Sequence, residues 1–90
     1  MTHQELVDRL VAMGCDGTVI LENPSFNEAI VGVSEDGRLV YSYEKMVHQL
    51  AEDEFMSEQE AQEFIDYNTV RAIFYMGEKR PIIVYPIEEQ

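Results

Sequence analysis

The chain has 90 residues, of which 46% are hydrophobic, and its 18 acidic and 6 basic side chains give a formal net charge of −12. This composition is typical of a folded chain rather than an intrinsically disordered one, and the length predicts a single domain over residues 1–90. The negative field repels nucleic-acid phosphates and anionic membranes, so we expect no direct nucleic-acid binding and no membrane association. The same field favours a protein partner with a basic or mixed surface.

Cysteine content and hydropathy indicate the compartment. Cys15 is the only cysteine, which excludes an internal disulfide and favours a reducing environment. The N-terminal residues are polar and acidic, unlike a signal peptide, and no apolar run approaches the roughly 18 residues that a membrane span needs. We therefore expect a cytoplasmic protein.

A helix is predicted at the N-terminus. Thr2 and Glu5 have the spacing of a capping box, and Leu6 and Leu10 recur on one helical face. Gly14 is expected to end this helix, because glycine readily adopts the left-handed conformation that follows many helices.

Three strands are predicted next. The apolar run 18–21 is rich in β-branched residues and predicts the first strand. The runs 29–33 and 38–41 flank an Asp-Gly pair at 36–37, which predicts an antiparallel hairpin. Gly32 lies inside the first of these two runs and is equally compatible with a β-bulge or close packing contact and with an ordinary glycine in a regular strand.

Helix signals follow the hairpin. Ser42 is positioned to cap a second helix that ends in the acidic run 52–54, and Ser57 with Glu60 forms a capping box for the next helix. Helicity is expected to break near Tyr67 and to resume as a short turn.

The last strand is predicted at residues 82–85, between two prolines. Because this run is apolar on both faces, we expect it at an interior position of the sheet. The resulting order, α-β-β-β-α-α-β, defines an α+β fold with a mostly antiparallel sheet and helices packed on one face.

Motifs for catalysis, metals and cofactors are missing from the sequence. His3 and His48 have no Cys or His neighbour at the spacing of a zinc site, and the acidic stretch 52–66 lacks the central glycine of an EF-hand loop. The glycines form neither a phosphate-binding loop nor a dinucleotide fingerprint. Cys15 follows a helix C-terminus, where a thiol is not activated. We expect no cofactor, no metal and no enzymatic activity.

Candidate partner-binding residues lie in two neighbouring groups. The stretch 52–66 holds seven acids and no Lys or Arg, and an aromatic group with one arginine follows it. The alternative interpretation is structural: the charge only keeps the protein soluble, Phe74 and Met76 belong to the core, and Arg71 pairs with Asp66 or Glu78. The candidates are Glu52, Asp53, Glu54, Glu58, Glu63, Asp66, Tyr67, Arg71 and Tyr75.

The segment FIDYNTVRA, residues 64–72, and the segment MGEKRPIIVY, residues 76–85, resemble a family of small acidic hypothetical proteins from Gram-positive anaerobic bacteria and their phages and mobile elements. The resemblance extends over about residues 21–86. It implies no known activity, and no functional residue is carried over from it.

Three hypotheses for function follow. The leading one is a non-catalytic protein-binding or accessory module. The second is a phage-type inhibitor that mimics DNA, in which carboxylates from Glu52 to Asp66 replace phosphates. The third is the subunit of an enzyme that a partner chain completes. The large net charge opposes self-association, so we expect a monomer or a weak homodimer.

Overall fold

The first helix begins where its capping box predicts. The computed structural model describes residues 2–15, 17–22 and 24–87, and helix α1 covers His3–Ala12. The Thr2 hydroxyl accepts a hydrogen bond from the Glu5 N–H, and the Glu5 carboxylate accepts one from the Thr2 N–H, both at 3.1 Å. Gly14, with a φ of +76°, follows the end of the helix as predicted.

The strand predicted at 18–21 is wrong. Val19 donates its N–H to the carbonyl oxygen of Lys79, but no strand forms in this segment. The Leu21 N–H donates instead to the hydroxyl of Tyr41 at 3.0 Å. The run is apolar because Leu21 is buried in the core, which requires no strand pairing.

The predicted hairpin is confirmed. Strand β1 covers Ile30–Val33, strand β2 covers Leu39–Ser42, and the two pair antiparallel. Their register shifts between Ile30 and Gly32, which places a β-bulge at the glycine. Gly37 has a φ of +82° in the connecting turn, a conformation that glycine adopts without strain.

Strand β3 covers Ile82–Val84 and pairs parallel with β2, so the sheet order is β1-β2-β3. The α+β class is confirmed, and the sheet is mixed, with one antiparallel and one parallel pair. The interior position predicted for this last strand is wrong, since β3 lies at an edge. Its inner residue Ile83 packs against the core, whereas Val84 remains 40% exposed.

Helices α2, Tyr43–Asp53, and α3, Glu58–Phe64, follow the hairpin. The Ser42 hydroxyl accepts from the third residue of α2, and Ser57 forms the predicted capping box with Glu60. The turn between the helices contains Phe55 with a φ of +53°.

Helicity does not break near Tyr67. A π-helical segment, Ile65–Val70, continues directly into the short helix α4, Arg71–Ile73. Ile65, Thr69 and Ile73 lie four residues apart and are all buried. The wider turn of the π-helical segment therefore keeps this row of side chains against the core. The Asn68 side chain donates to the Phe64 carbonyl oxygen at 3.1 Å, which satisfies a backbone group at the start of this segment.

The core lies between one face of the sheet and the helices. Leu39 and Tyr41 alternate with half-buried residues along β2 and are almost completely buried. The largest other buried side chains are those of Phe26, Met46 and Ile65. Among the described residues, every helix is too short or too polar to cross a membrane.

Candidate functional site

Seven of the nine candidate residues line two separate surfaces. Glu52, Asp53 and Glu58 line a groove of about 920 Å³. We call this groove, lined by Glu28, Glu44, Lys45, His48, Gln49, Glu52, Asp53 and Glu58, the acidic groove. A second depression, which we call the helical stripe, is lined by Glu63, Asp66, Tyr67 and Arg71. Glu54 and Tyr75 line neither surface.

Helix α2 supplies most of the acidic groove. Its apolar residues Met46, Val47 and Leu50 face the core, so the opposite side is exposed. Glu44 and Glu52 lie eight residues apart on that exposed side, with His48 between them. The sequence interpretation missed Glu44, although its spacing from Glu52 could have revealed it.

Glu28 reaches the acidic groove from a different part of the chain. It belongs to a 3₁₀ turn, Asn27–Ala29, that packs against α2. The sequence interpretation missed Glu28 as well, and no local pattern could have placed it beside Glu52, since only the packing of the turn brings them to one groove.

Hydrogen-bond acceptors dominate the acidic groove. The described lining of the groove contains five carboxylates and two basic side chains, Lys45 and His48. His48 Nε2 lies 3.4 Å from Glu52 Oε1. The side-chain amide of Gln49 donates to the Ser25 carbonyl oxygen at 2.9 Å. Its Oε1 atom is buried and accepts no hydrogen bond from any described residue. A ligand rich in donors therefore fits this lining.

The acidic groove continues into an aromatic surface. Glu44 and Glu58 also line a neighbouring depression of about 420 Å³. We call it the aromatic shelf, and its other lining residues are Tyr43, Val47, Gln62, Tyr85 and Pro86. The rings of Tyr43 and Tyr85 lie 4.8 Å apart between centroids and are tilted by 33°, in the range of favourable aromatic pairs.

Asp66 fixes one ring of the aromatic shelf. The Tyr43 hydroxyl donates to an Asp66 carboxylate oxygen at 2.7 Å. Burial raises the pKa of Tyr43 well above its usual range, and the hydrogen bond to the Asp66 carboxylate raises the pKa further. The phenol therefore stays protonated at neutral pH and keeps donating. The sequence interpretation missed Tyr85, because only the parallel pairing of β3 with β2 brings it beside Tyr43.

A metal ion needs several oxygen, nitrogen or sulfur ligands close together. Among the described residues, no three Asp, Glu, His or Cys side chains are grouped closely enough to hold a metal ion.

The helical stripe combines both signs of charge with an aromatic ring. The Arg71 guanidinium lies over the Tyr67 ring, 4.9 Å from its centroid, a cation–π contact. The alternative pairing of Arg71 with Asp66 or Glu78 is wrong, since no described carboxylate lies within ion-pair distance of the guanidinium.

Phe74 and Met76, which the structural interpretation of the sequence assigns to the core, have different environments. Met76 packs against the core, as its structural interpretation requires. Phe74 is 74% exposed, so its assignment to the core is wrong, and Tyr75 beside it is 91% exposed.

No protein-family model, curated protein or solved structure matches this chain.

Proposed function

We propose that this protein is a small non-catalytic binding module whose acidic groove receives a basic segment of a partner protein. The observation that carries the proposal is the continuity of the acidic groove with the aromatic shelf, since Glu44 and Glu58 line both. Complementary charges supply fast association and discrimination between partners. Aromatic side chains supply contact area that becomes buried on binding.

The chemistry of the lining defines the partner segment. Lys and Arg side chains are donors without acceptor capacity, and they complement the carboxylates of the lining. The exposed ring of Tyr85, at 56% exposure, offers an adjacent apolar contact. The partner therefore carries Lys or Arg side chains next to an apolar or aromatic residue.

A matched pair of variants tests the acidic groove. The groove variant combines Glu52→Gln, Asp53→Asn and Glu58→Gln. The control variant neutralises three exposed acids that line neither the groove nor the shelf: Asp8→Asn, Glu35→Gln and Glu78→Gln. Both variants remove three negative charges, so they differ only in where the charge is lost.

The experiment begins with capture of partners from a nuclease-treated lysate of the source cell on the immobilised native chain. The affinity of the captured protein is then measured by calorimetry at about 0.05 M and about 0.5 M NaCl, since screening weakens charge-driven binding. We expect the groove variant to bind at least about tenfold more weakly, a loss of about 1.4 kcal/mol. The control variant should bind nearly as the native chain does.

Two results would contradict this proposal. Equal losses in the two variants would mean that only overall charge matters, and full binding by the groove variant would move the contact elsewhere. The same experiment distinguishes the DNA-mimic alternative. If that alternative holds, the captured partner is a nucleic-acid-binding protein, and double-stranded DNA displaces this chain from the partner.

A further inference from the structure

The helical stripe is a second exposed surface, and none of its lining residues lines the acidic groove. Its residues Glu63, Asp66, Tyr67 and Arg71 are all exposed. Tyr67 is 68% exposed, and the Arg71 guanidinium covers only one face of its ring. Phe74 and Tyr75 expose two more rings at the end of the same helical stretch.

Two of the three charges of the stripe, those of Glu63 and Arg71, are placed self-complementarily about Tyr67, and the third, that of Asp66, already accepts the Tyr43 hydrogen bond. Glu63, Tyr67 and Arg71 follow one another at intervals of four residues, so an acid and a base lie at equal steps on either side of the tyrosine. An antiparallel copy of the same stripe centred on Tyr67 presents its base opposite the acid and its acid opposite the base. Self-complementarity of this kind is what a two-fold symmetric interface requires.

We propose that a second copy of this chain docks on the helical stripe, with a two-fold axis passing near Tyr67. In this arrangement Arg71 of each copy faces Glu63 of the other, and the two Tyr67 rings meet near the axis. The exposed rings of Phe74 and Tyr75 extend the contact at both ends.

The charges of the helical stripe favour a second copy of the chain as the molecule that binds there. Arg71 is the base of the stripe, and it has no carboxylate partner among the described residues of its own chain. Asp66 already accepts a hydrogen bond from Tyr43, which leaves Glu63 as the carboxylate without a described partner. A symmetric contact uses this acid and this base twice. The net charge of −12 on each copy opposes association and keeps the dimer weak.

Charge reversal followed by mixing tests the proposal. Arg71→Glu places acids at both ends of the stripe, and Glu63→Arg places bases at both ends, so each variant alone should lose the dimer. An equimolar mixture of the two variants restores both opposite-charge contacts and should form a heterodimer. Sedimentation velocity over a concentration series measures both effects, and each single reversal should raise the dimer dissociation constant at least about tenfold.

Matched controls separate the stripe from general electrostatics. Arg9→Glu and Glu78→Arg make the same charge changes at exposed positions outside the stripe. These control variants should dimerise much as the native chain does, and mixing them should add nothing beyond the native level. Far-UV circular dichroism checks that every variant is folded.

Several outcomes would overturn the proposal. A native chain that stays monomeric at the highest concentration excludes the dimer. A mixture of Arg71→Glu and Glu63→Arg chains that associates no more than the control mixture excludes this geometry. Dimers that survive both reversals place the contact on another surface, such as the outer face of the sheet. The groove variant should still dimerise, because its three substitutions lie outside the stripe. The dimer can therefore be tested even if the acidic groove binds no partner.

Discussion

The hydroxyl of Tyr41 connects the central strand of the sheet to the loop that precedes the hairpin. The side chain is completely buried, and its oxygen accepts the N–H of Leu21 at 3.0 Å. Burial raises the pKa of Tyr41, although the hydrogen bond from Leu21 acts in the opposite direction, so the phenol is neutral at physiological pH. Because 18–21 forms no strand, this side-chain contact replaces the ladder bond that the Leu21 N–H would otherwise have made.

We expect Tyr41→Phe to lower the free energy of unfolding by about 1–3 kcal/mol, because it leaves the buried Leu21 N–H without an acceptor. Urea denaturation measures this change. Tyr75→Phe serves as the control, since Tyr75 is 91% exposed and should change stability little. A Tyr41→Phe chain as stable as the native one would mean that this hydrogen bond adds nothing to the fold.

At the scale of elements, the helix starts were predicted correctly. The hydroxyls of Thr2, Ser42 and Ser57 each accept from a backbone N–H three residues later. These bonds join close neighbours in sequence, so the pattern of residue types identifies them without knowledge of the fold.

We expect Ser57→Ala to lower the free energy of unfolding by about 1 kcal/mol, since it removes the acceptor for the Glu60 N–H at the start of α3. Thermal and urea denaturation followed by circular dichroism measure the loss. Ser25→Ala is the matched control, because the Ser25 hydroxyl makes no hydrogen bond to any other described residue. Equal losses in the two variants would show that the cap is not the cause.

The strand assignments were less accurate than the helix starts. The hairpin was predicted because its turn and both strands are local, whereas the strand at 18–21 and the interior position of 82–85 were inferred from the apolar residues of each run. An apolar β-branched run reports that its residues are buried, and it does not report what the backbone pairs with. This limitation explains both errors: the strand predicted at 18–21 is a loop, and the strand expected inside the sheet, β3, lies at its edge.

At the scale of the whole molecule, the charge of −12 is distributed unevenly. Five carboxylates surround the acidic groove, and few basic side chains offset them there. Repulsion among like charges destabilises the compact state. The charge arrangement on which the proposed binding of a basic partner depends therefore reduces the stability of the unbound protein.

We expect the melting temperature to rise between about 0.05 M and about 0.5 M NaCl, because salt screens this repulsion. A gain of about 1 kcal/mol corresponds to about 4–8 °C for a chain of this length. The melting temperature of the groove variant should rise less with salt than that of the control variant, since the groove variant has already lost part of the charge of the groove. Differential scanning calorimetry measures both, and a melting temperature independent of salt would contradict the expectation.

The α+β class, the helix starts and the hairpin were predictable from residue types along the chain, and so was the acidic stretch that supplies three carboxylates of the groove. Each of these depends on residue types within a few positions of one another or on overall composition. The folded structure was needed to establish the parallel pairing of β3, the junction of the acidic groove with the aromatic shelf, and the position of the helical stripe outside the groove. These features join residues far apart in the chain, such as Tyr43 with Asp66 and with Tyr85. Such contacts depend on how whole elements pack. Burial of a shared core brings those side chains together, whereas local hydrogen bonds along the chain do not.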